Sequence, residues 1–312
     1  MASTPHSSWQ LTTDLDGFLT RAEEFLHSSP ALHTALLSVT DTLRARGLQV
    51  YGEGAPVFGT YTGTGAEAEA GTGASTGTDV GADAAAARAV RGAFVWTPPH
   101  RVSLSPLGPG AAEALARHLA DVSPGLPGVA AEAVTAEAFA RAWEKCTGAT
   151  AAAGVHQRLY RLGTLTPPEP APPGRARVAT AADRELLERW HVEFGEALGE
   201  RSAMDPGVWA DARLAYGGVT LWEDPDGTPV AMAGVTRRTA GQVRVAPVYT
   251  PADLRGRGYA GAATAAVSRA ALDAGASDVL LFTDLDNPTS NGLYQRLGYR
   301  PVRDFTQYDF TY

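Results

Sequence analysis

The chain has 312 residues, 44% of them hydrophobic and 19% charged, which suits one large domain or two of ordinary size. No apolar run approaches the roughly 18 residues of a membrane-spanning helix, and the first residues lack the basic and apolar regions of a signal peptide. A cytoplasmic protein with no membrane partner is expected. The net charge of −8 argues against a nucleic-acid partner, and a single cysteine, Cys146, excludes an intrachain disulfide and a Cys-based zinc cage.

In chain order, helices are predicted at Leu15–His27 and Ala31–Arg46, then strands at Gln49–Tyr61, Val90–Trp96 and Arg101–Ser105. Residues 62–88 are so rich in Gly, Ala and Thr that they cannot bury enough apolar area to order themselves, which predicts a disordered loop. A helix at Ala111–Ala120, a strand at Gly128–Ala131, a helix at Ala136–Lys145 and a strand at Val155–Leu165 complete a first half. Thr166–Gly174, with five prolines in nine residues, reads as a stiff linker.

The second half starts with a strand at Arg175–Thr180 and helices at Asp183–Leu198 and Asp205–Tyr216. Strands follow at Val219–Trp222, Val230–Thr236 and Gln242–Tyr249, the first two joined by an Asp226-Gly227 turn. A helix (Gly258–Ala274), a strand (Val279–Thr283), a helix (Thr289–Leu297) and a strand (Arg300–Phe310) close the chain. Two helices, three strands, then helix-strand-helix-strand thus occur twice. The expected domains are 1–165 and 175–312, related in topology rather than in residue identity.

Chemistry concentrates at Gln242–Gly261. Pro247 interrupts an alternating strand and cannot donate to a ladder, so it marks an edge or a bulge that leaves backbone groups for a ligand. Downstream, Arg255-Gly256-Arg257-Gly258-Tyr259-Ala260 joins that strand to a helix. The glycines let the main chain approach a bound group without Cβ clashes, and the first amides of the helix form an anion site suited to a pyrophosphate. Gly256, Gly258 and Gly261 also spell the dinucleotide-binding pattern. That reading fails because six residues, Thr250–Arg255, separate strand from glycines, and only 51 residues follow Gly261. A ligand-free turn is the other alternative.

At these residues the chain resembles the GNAT superfamily of N-acetyltransferases, whose acetyl-CoA loop reads Q/R-x-x-G-x-G/A. The resemblance continues through Asn287-Pro288-Thr289-Ser290-Asn291-Gly292-Leu293-Tyr294-Gln295-Arg296-Leu297-Gly298-Tyr299 and is close over Val243–Val302. It implies an α/β fold with two tandem GNAT-like domains, each a mostly antiparallel mixed sheet flanked by helices. By the same resemblance, Val248, Tyr249 and Thr250 offer backbone groups to the pantetheine arm of acetyl-CoA. Arg255, Gly256, Arg257, Gly258, Tyr259, Ala260 and Gly261 hold the pyrophosphate, Asn287 reaches the pantetheine, and Tyr294 faces the thioester sulfur as catalytic acid. Without its motif, Tyr294 reads as a core aromatic.

The expected activity is acetyl transfer from acetyl-CoA to a primary amine on a small molecule or peptide, with no metal. Many relatives carry a glutamate as base on the central strands. Here the matching strand offers Arg244, and the nearest acids are Glu223 and Asp224. The acceptor side is expected on the first two helices of this half, where Trp190, His191, Glu193, Phe194 and Glu196 cluster, with Trp190, Phe194 and Leu198 on a shared face that reads as core. In the first half, the counterpart loop Ser105–Gly110 has two prolines and no arginine, and Trp143 stands near the place of Tyr294. That half reads as a degenerate copy. A non-catalytic acyl-CoA-binding protein is the competing reading, favoured by the missing base.

Overall fold

The computed structural model describes residues 8–63, 89–123, 125–199 and 204–312. The Gly/Ala/Thr-rich segment therefore lies almost wholly outside the described residues. The chain divides into two compact units, one running to His156 and taking back Asp304–Tyr312, the other Gln157–Arg303. The proline-rich segment lies within the second unit rather than between the two.

In the first unit, β1 (Ser8–Thr12) precedes α1 (Leu15–Ser28) and α2 (Thr34–Arg46). Then come β2 (Val57–Thr62), β3 (Val90–Trp96), β4 (Val102–Leu104), α3 (Pro109–Val122), β5 (Gly128–Glu132) and α4 (Ala133–Thr147). The last strand of the chain, β12 (Tyr299–Thr311), completes the sheet in the order β1-β2-β3-β4-β5-β12. Only β4 and β5 run parallel, Val102 beside Val129, because α3 supplies the crossover that a parallel pair needs. The core is aromatic, with Trp143 stacked on Phe139 and Phe310. The predicted strand at Gln49–Tyr61 starts only at Val57, after a turn at Gln49–Tyr51. β1 has no counterpart in the sequence reading.

The second unit repeats the plan. β6 spans Thr150–Leu162, and its end from Gln157 pairs here. The other elements are β7 (Arg175–Val178), α5 (Arg184–Leu198), α6 (Pro206–Leu214), β8 (Val219–Glu223), β9 (Pro229–Val235), β10 (Gln242–Tyr249), α7 (Tyr259–Asp273), β11 (Asp278–Asp284) and α8 (Pro288–Arg296). Their order is β6-β11-β10-β9-β8-β7, again with one parallel pair, β10 and β11, joined by α7. Helix α7 buries mostly small residues, from Gly261, Ala262 and Ala263 to Ala271, which lets its axis lie close to the sheet. Leu187, Trp190, Trp209 and Ala210 of α5 and α6 form a separate cluster with Leu221, Met232 and Tyr249. No described helix is long and apolar enough to cross a membrane.

An ion-pair network ties the start of α5 to the sheet. Arg177 holds Asp183 with two bonds of 2.7 Å and also binds Glu223, which Arg175 reaches at 3.1 Å. The Arg177 guanidinium, by hydrogen bonding first, holds the Asp183 carboxyl below the usual carboxylate range.

Candidate functional site

Strand β10 pairs with β11 only over Gln242, Val243 and Arg244, opposite Asp278, Val279 and Leu280. Beyond Arg244, β11 continues to Asp284 along β6, while β10 continues to Tyr249 along β9. The strands part, and among the described residues the β11-facing edge of β10 from Val245 onward has no ladder partner. The ladder with β9 slips at the same place. Val245 faces Val235 and Val248 faces Ala233, three steps against two, so one residue bulges out around Ala246-Pro247. Gly234 makes room, since a Cβ there would lie 2.7 Å from the Ala246 carbonyl oxygen.

The extra residue reverses the alternation. Val243 and Val245 join the cluster under α7, whereas Tyr249, of the same parity, joins the α5–α6 cluster on the other face. There its hydroxyl donates to Glu193 Oε2 at 2.8 Å, and its ring meets Trp190 at 6.0 Å. Burial first, and the Glu193 charge after it, push the Tyr249 phenol up to about 12. Glu193 is half-buried, and among the described residues it has no cationic partner. The acids nearest in sequence to the central strands are already committed. Glu223 belongs to Arg175 and Arg177, and Asp224 accepts from the amides of Asp226 and Thr228 in its turn. Glu193 is the residue whose position next to the open edge the sequence did not reveal.

After Tyr249 comes a short 3-10 turn at Ala252–Leu254, then Gly256 at φ +79° and Gly258 at φ +85°. Gly258 caps α7 with no side-chain bond. Among the described residues nothing accepts from the amides of Gly256, Arg257 and Gly258, and the first-turn amides of α7 are open as in any uncapped helix. These amides sit at the positive end of the helix dipole and make an anion cradle. Within the protein a Cβ on Gly256 would meet nothing within 4 Å, and one on Gly258 nothing nearer than 3.8 Å, so it is the positive φ of both positions that favours glycine there. Both arginines brace the loop, Arg255 Nε on the Thr250 carbonyl and Arg257 on the Asp253 carbonyl, each at 3.1 Å. The Thr250 hydroxyl is buried without a partner among the described residues, at the end of the open edge. Free amides, positive φ and an orphaned hydroxyl fit the phosphates and amide arm of a coenzyme A.

Helix α8 brings in the tyrosine. Asn287 caps it, its side chain accepting from the Ser290 amide at 3.0 Å, which is a structural use of a residue expected on the pantetheine. Asn291 ties the helix to the Asp284 carbonyl at 2.7 Å and accepts from Tyr160 at 2.9 Å. Held this way, Tyr294 lies edge-on to Tyr299, ring centres 6.1 Å apart, in the cluster under α7. Its hydroxyl makes no hydrogen bond to a described residue. Burial pushes the phenol up to about 12, so it stays protonated throughout the physiological range.

The described residues of the first unit form no such cradle. Pro106 and Pro109 have no N–H, the Leu107 amide is taken by Thr135 Oγ1 at 2.8 Å, and Trp143 Nε1 donates to Tyr312. His100 bonds the Tyr51 carbonyl. Among the described residues no three His, Cys, Asp or Glu are grouped to hold a metal.

His191, on α5, stacks flat on Trp209, centres 4.2 Å apart. Burial, then the nearby Arg213 charge, lowers its pKa to about 4. The folded value lies below the unfolded one, so His191 has no effect above about pH 6.5 and destabilises the fold progressively down to about pH 4. Partial exposure discounts the effect to about 1 kcal/mol. His191→Phe keeps the stack, and its melting temperature should fall less than that of the wild type between pH 7 and 5. Equal pH slopes in thermal melts would refute this.

The model of the acetyltransferase (GNAT) family matches residues 184–299. No curated protein sequence matches the chain. Among solved structures, a Drosophila protein is similar over 97% of this chain and 99% of its own, with a TM-score of 0.61 at 12% identity. A GNAT-family acetyltransferase from Colwellia psychrerythraea covers 97% and 100%, with a TM-score of 0.56 at 13% identity. A GCN5-related N-acetyltransferase from Kribbella flavida covers 70% and 86%, with a TM-score of 0.51 at 20% identity. At these identities the likeness is one of fold.

Proposed function

We propose that this chain, which residues 184–299 make a member of the GNAT superfamily, transfers an acetyl group from acetyl-CoA to a primary amine by direct attack. The observation that carries the reading is the open edge of β10, which a short 3-10 turn and the glycine loop join to the uncapped start of α7. An amide-bearing arm can lie along the edge as an added strand at Val248–Thr250, with its pyrophosphate on the amides of Gly256–Gly261. Tyr249 turns Glu193 toward one side of that edge, and Tyr294 lies on the other.

In this reading Glu193 pairs with the ammonium of the acceptor and passes a proton to solvent. The freed nitrogen bonds to the acetyl carbon, the C–S bond breaks while Tyr294 donates a hydrogen bond to the departing sulfur, and the second nitrogen-borne proton ends on that sulfur. The products are an N-acetylamine and a free thiol. Incubation with acetyl-CoA and a panel of amines should give both in equal amounts. Coenzyme A binding without turnover on any amine would favour the acyl-CoA-binding alternative.

Among the described residues only the second unit has the cradle, so calorimetry should find one coenzyme A per chain and no NAD binding. Two sites would overturn this. Gly258→Val forces a branched side chain into a left-handed conformation. Affinity for coenzyme A should fall about tenfold or more, at roughly 2 kcal/mol of backbone strain. Unchanged affinity would move the site elsewhere.

A further inference from the structure

The residues expected to be a linker, Thr166–Gly174, run across the start of α7. At one end the Thr166 amide donates to the Leu297 carbonyl at 3.0 Å, and at the other Trp222 Nε1 donates to the Pro173 carbonyl at 3.2 Å. Between these anchors only Pro168 and Pro172 are half-buried, and the rest of the segment is exposed. Those two prolines face the cradle glycines. A Cβ on Gly261 would lie 3.5 Å from Pro168 Cγ, and one on Gly258 would lie 3.8 Å from Pro172 Cβ and Cγ. The segment therefore backs the cradle at two points of its first helical turn. Proline suits such a wall. Its ring gives apolar contact at little entropic cost, and it has no N–H to compete for the ligand.

We propose that Pro168 and Pro172 are positioning residues for the pyrophosphate site. They hold the Gly258–Gly261 backbone in its anion-binding shape, so that the strap, and not the loop alone, sets affinity for the diphosphate half of coenzyme A. The proposal rests on the reading of the α7 N-terminus as that site. It deepens that reading by assigning part of the specificity for the nucleotide to a segment outside the glycine motif.

The test is calorimetric and needs no turnover. Pro168→Ala with Pro172→Ala removes the two rings that face the cradle glycines, whereas Pro167→Ala with Pro173→Ala loosens the strap on its exposed side. Coenzyme A should bind the first double variant about tenfold more weakly and the second as the wild type, with melting temperatures alike. Pantetheine, which has no diphosphate, should bind all three equally. Undiminished coenzyme A affinity in the first variant overturns the proposal and leaves the site assignment standing. Equal losses in both double variants, or a parallel loss for pantetheine, overturn it too, the first by making stiffness the cause. A wild-type protein without affinity for coenzyme A overturns the site assignment and the strap with it.

Discussion

Tyr294→Phe should lower kcat by about 10- to 1000-fold while leaving the melting temperature and coenzyme A affinity nearly unchanged. The stability half of this expectation follows from geometry. The Tyr294 hydroxyl bonds no described residue, so its removal breaks no contact, and the ring keeps its edge-on packing against Tyr299. The catalytic half follows from the leaving group. An unperturbed thiol ionises near pH 8.5, so sulfur departs more easily near neutrality when a donor is at hand. With its phenol pushed up to about 12, Tyr294 is always protonated but is a weaker acid than the thiol it would form. It therefore acts by a hydrogen bond that strengthens as charge builds on sulfur, a contribution confined to the transition state. Steady-state kinetics with the best amine would measure it. Turnover equal to wild type would make Tyr294 a packing residue.

Where residues carried a local signal, the sequence was a sound guide. Val90–Trp96 and Gln242–Tyr249 form strands over their predicted spans, because alternation and turn residues act within a few positions. The glycines before a helix were visible at Arg255–Ala260, and so was the helix at Thr289–Leu297, though not its cap at Asn287. Non-local features were not visible. The exchange of terminal strands, with β12 completing the first unit and β6 the second, depends on pairings more than a hundred residues apart. The proline-rich segment had the composition of a linker, and only its position beside Gly258 and Gly261 ties it to the start of α7. Pro247 announced a bulge, but the consequence of a bulge is a change of face. Strict alternation places Tyr249 with Val243 and Val245; the extra residue places it against α5 instead. The partner that Tyr249 finds there, Glu193, could not be told from its neighbours Glu188 and Glu196 by spacing alone.

That partner leads to the second large effect. Glu193→Gln should lower kcat/KM for the amine by about 100-fold while acetyl-CoA binding stays as in the wild type. Glutamine keeps an oxygen to accept from Tyr249, so the tie between α5 and β10 survives and only the charge is lost. Among the described residues Glu193 is a half-buried carboxylate without a cationic partner, whereas Glu223 and Asp183 each have arginine, and it offers a place for an ammonium. Losing it costs twice. The cationic amine binds more weakly, and the proton that must leave nitrogen has no nearby acceptor. Both losses shrink for an acceptor that arrives neutral, so the deficit should narrow as pH rises toward the pKa of the amine. A tether would behave differently: Glu193→Gln would then keep full activity, and Tyr249→Phe would change stability alone. Kinetics of both variants across pH, with acetyl-CoA saturating, separate the two roles. Full activity of Glu193→Gln at neutral pH would remove Glu193 from the chemistry and leave proton removal to water.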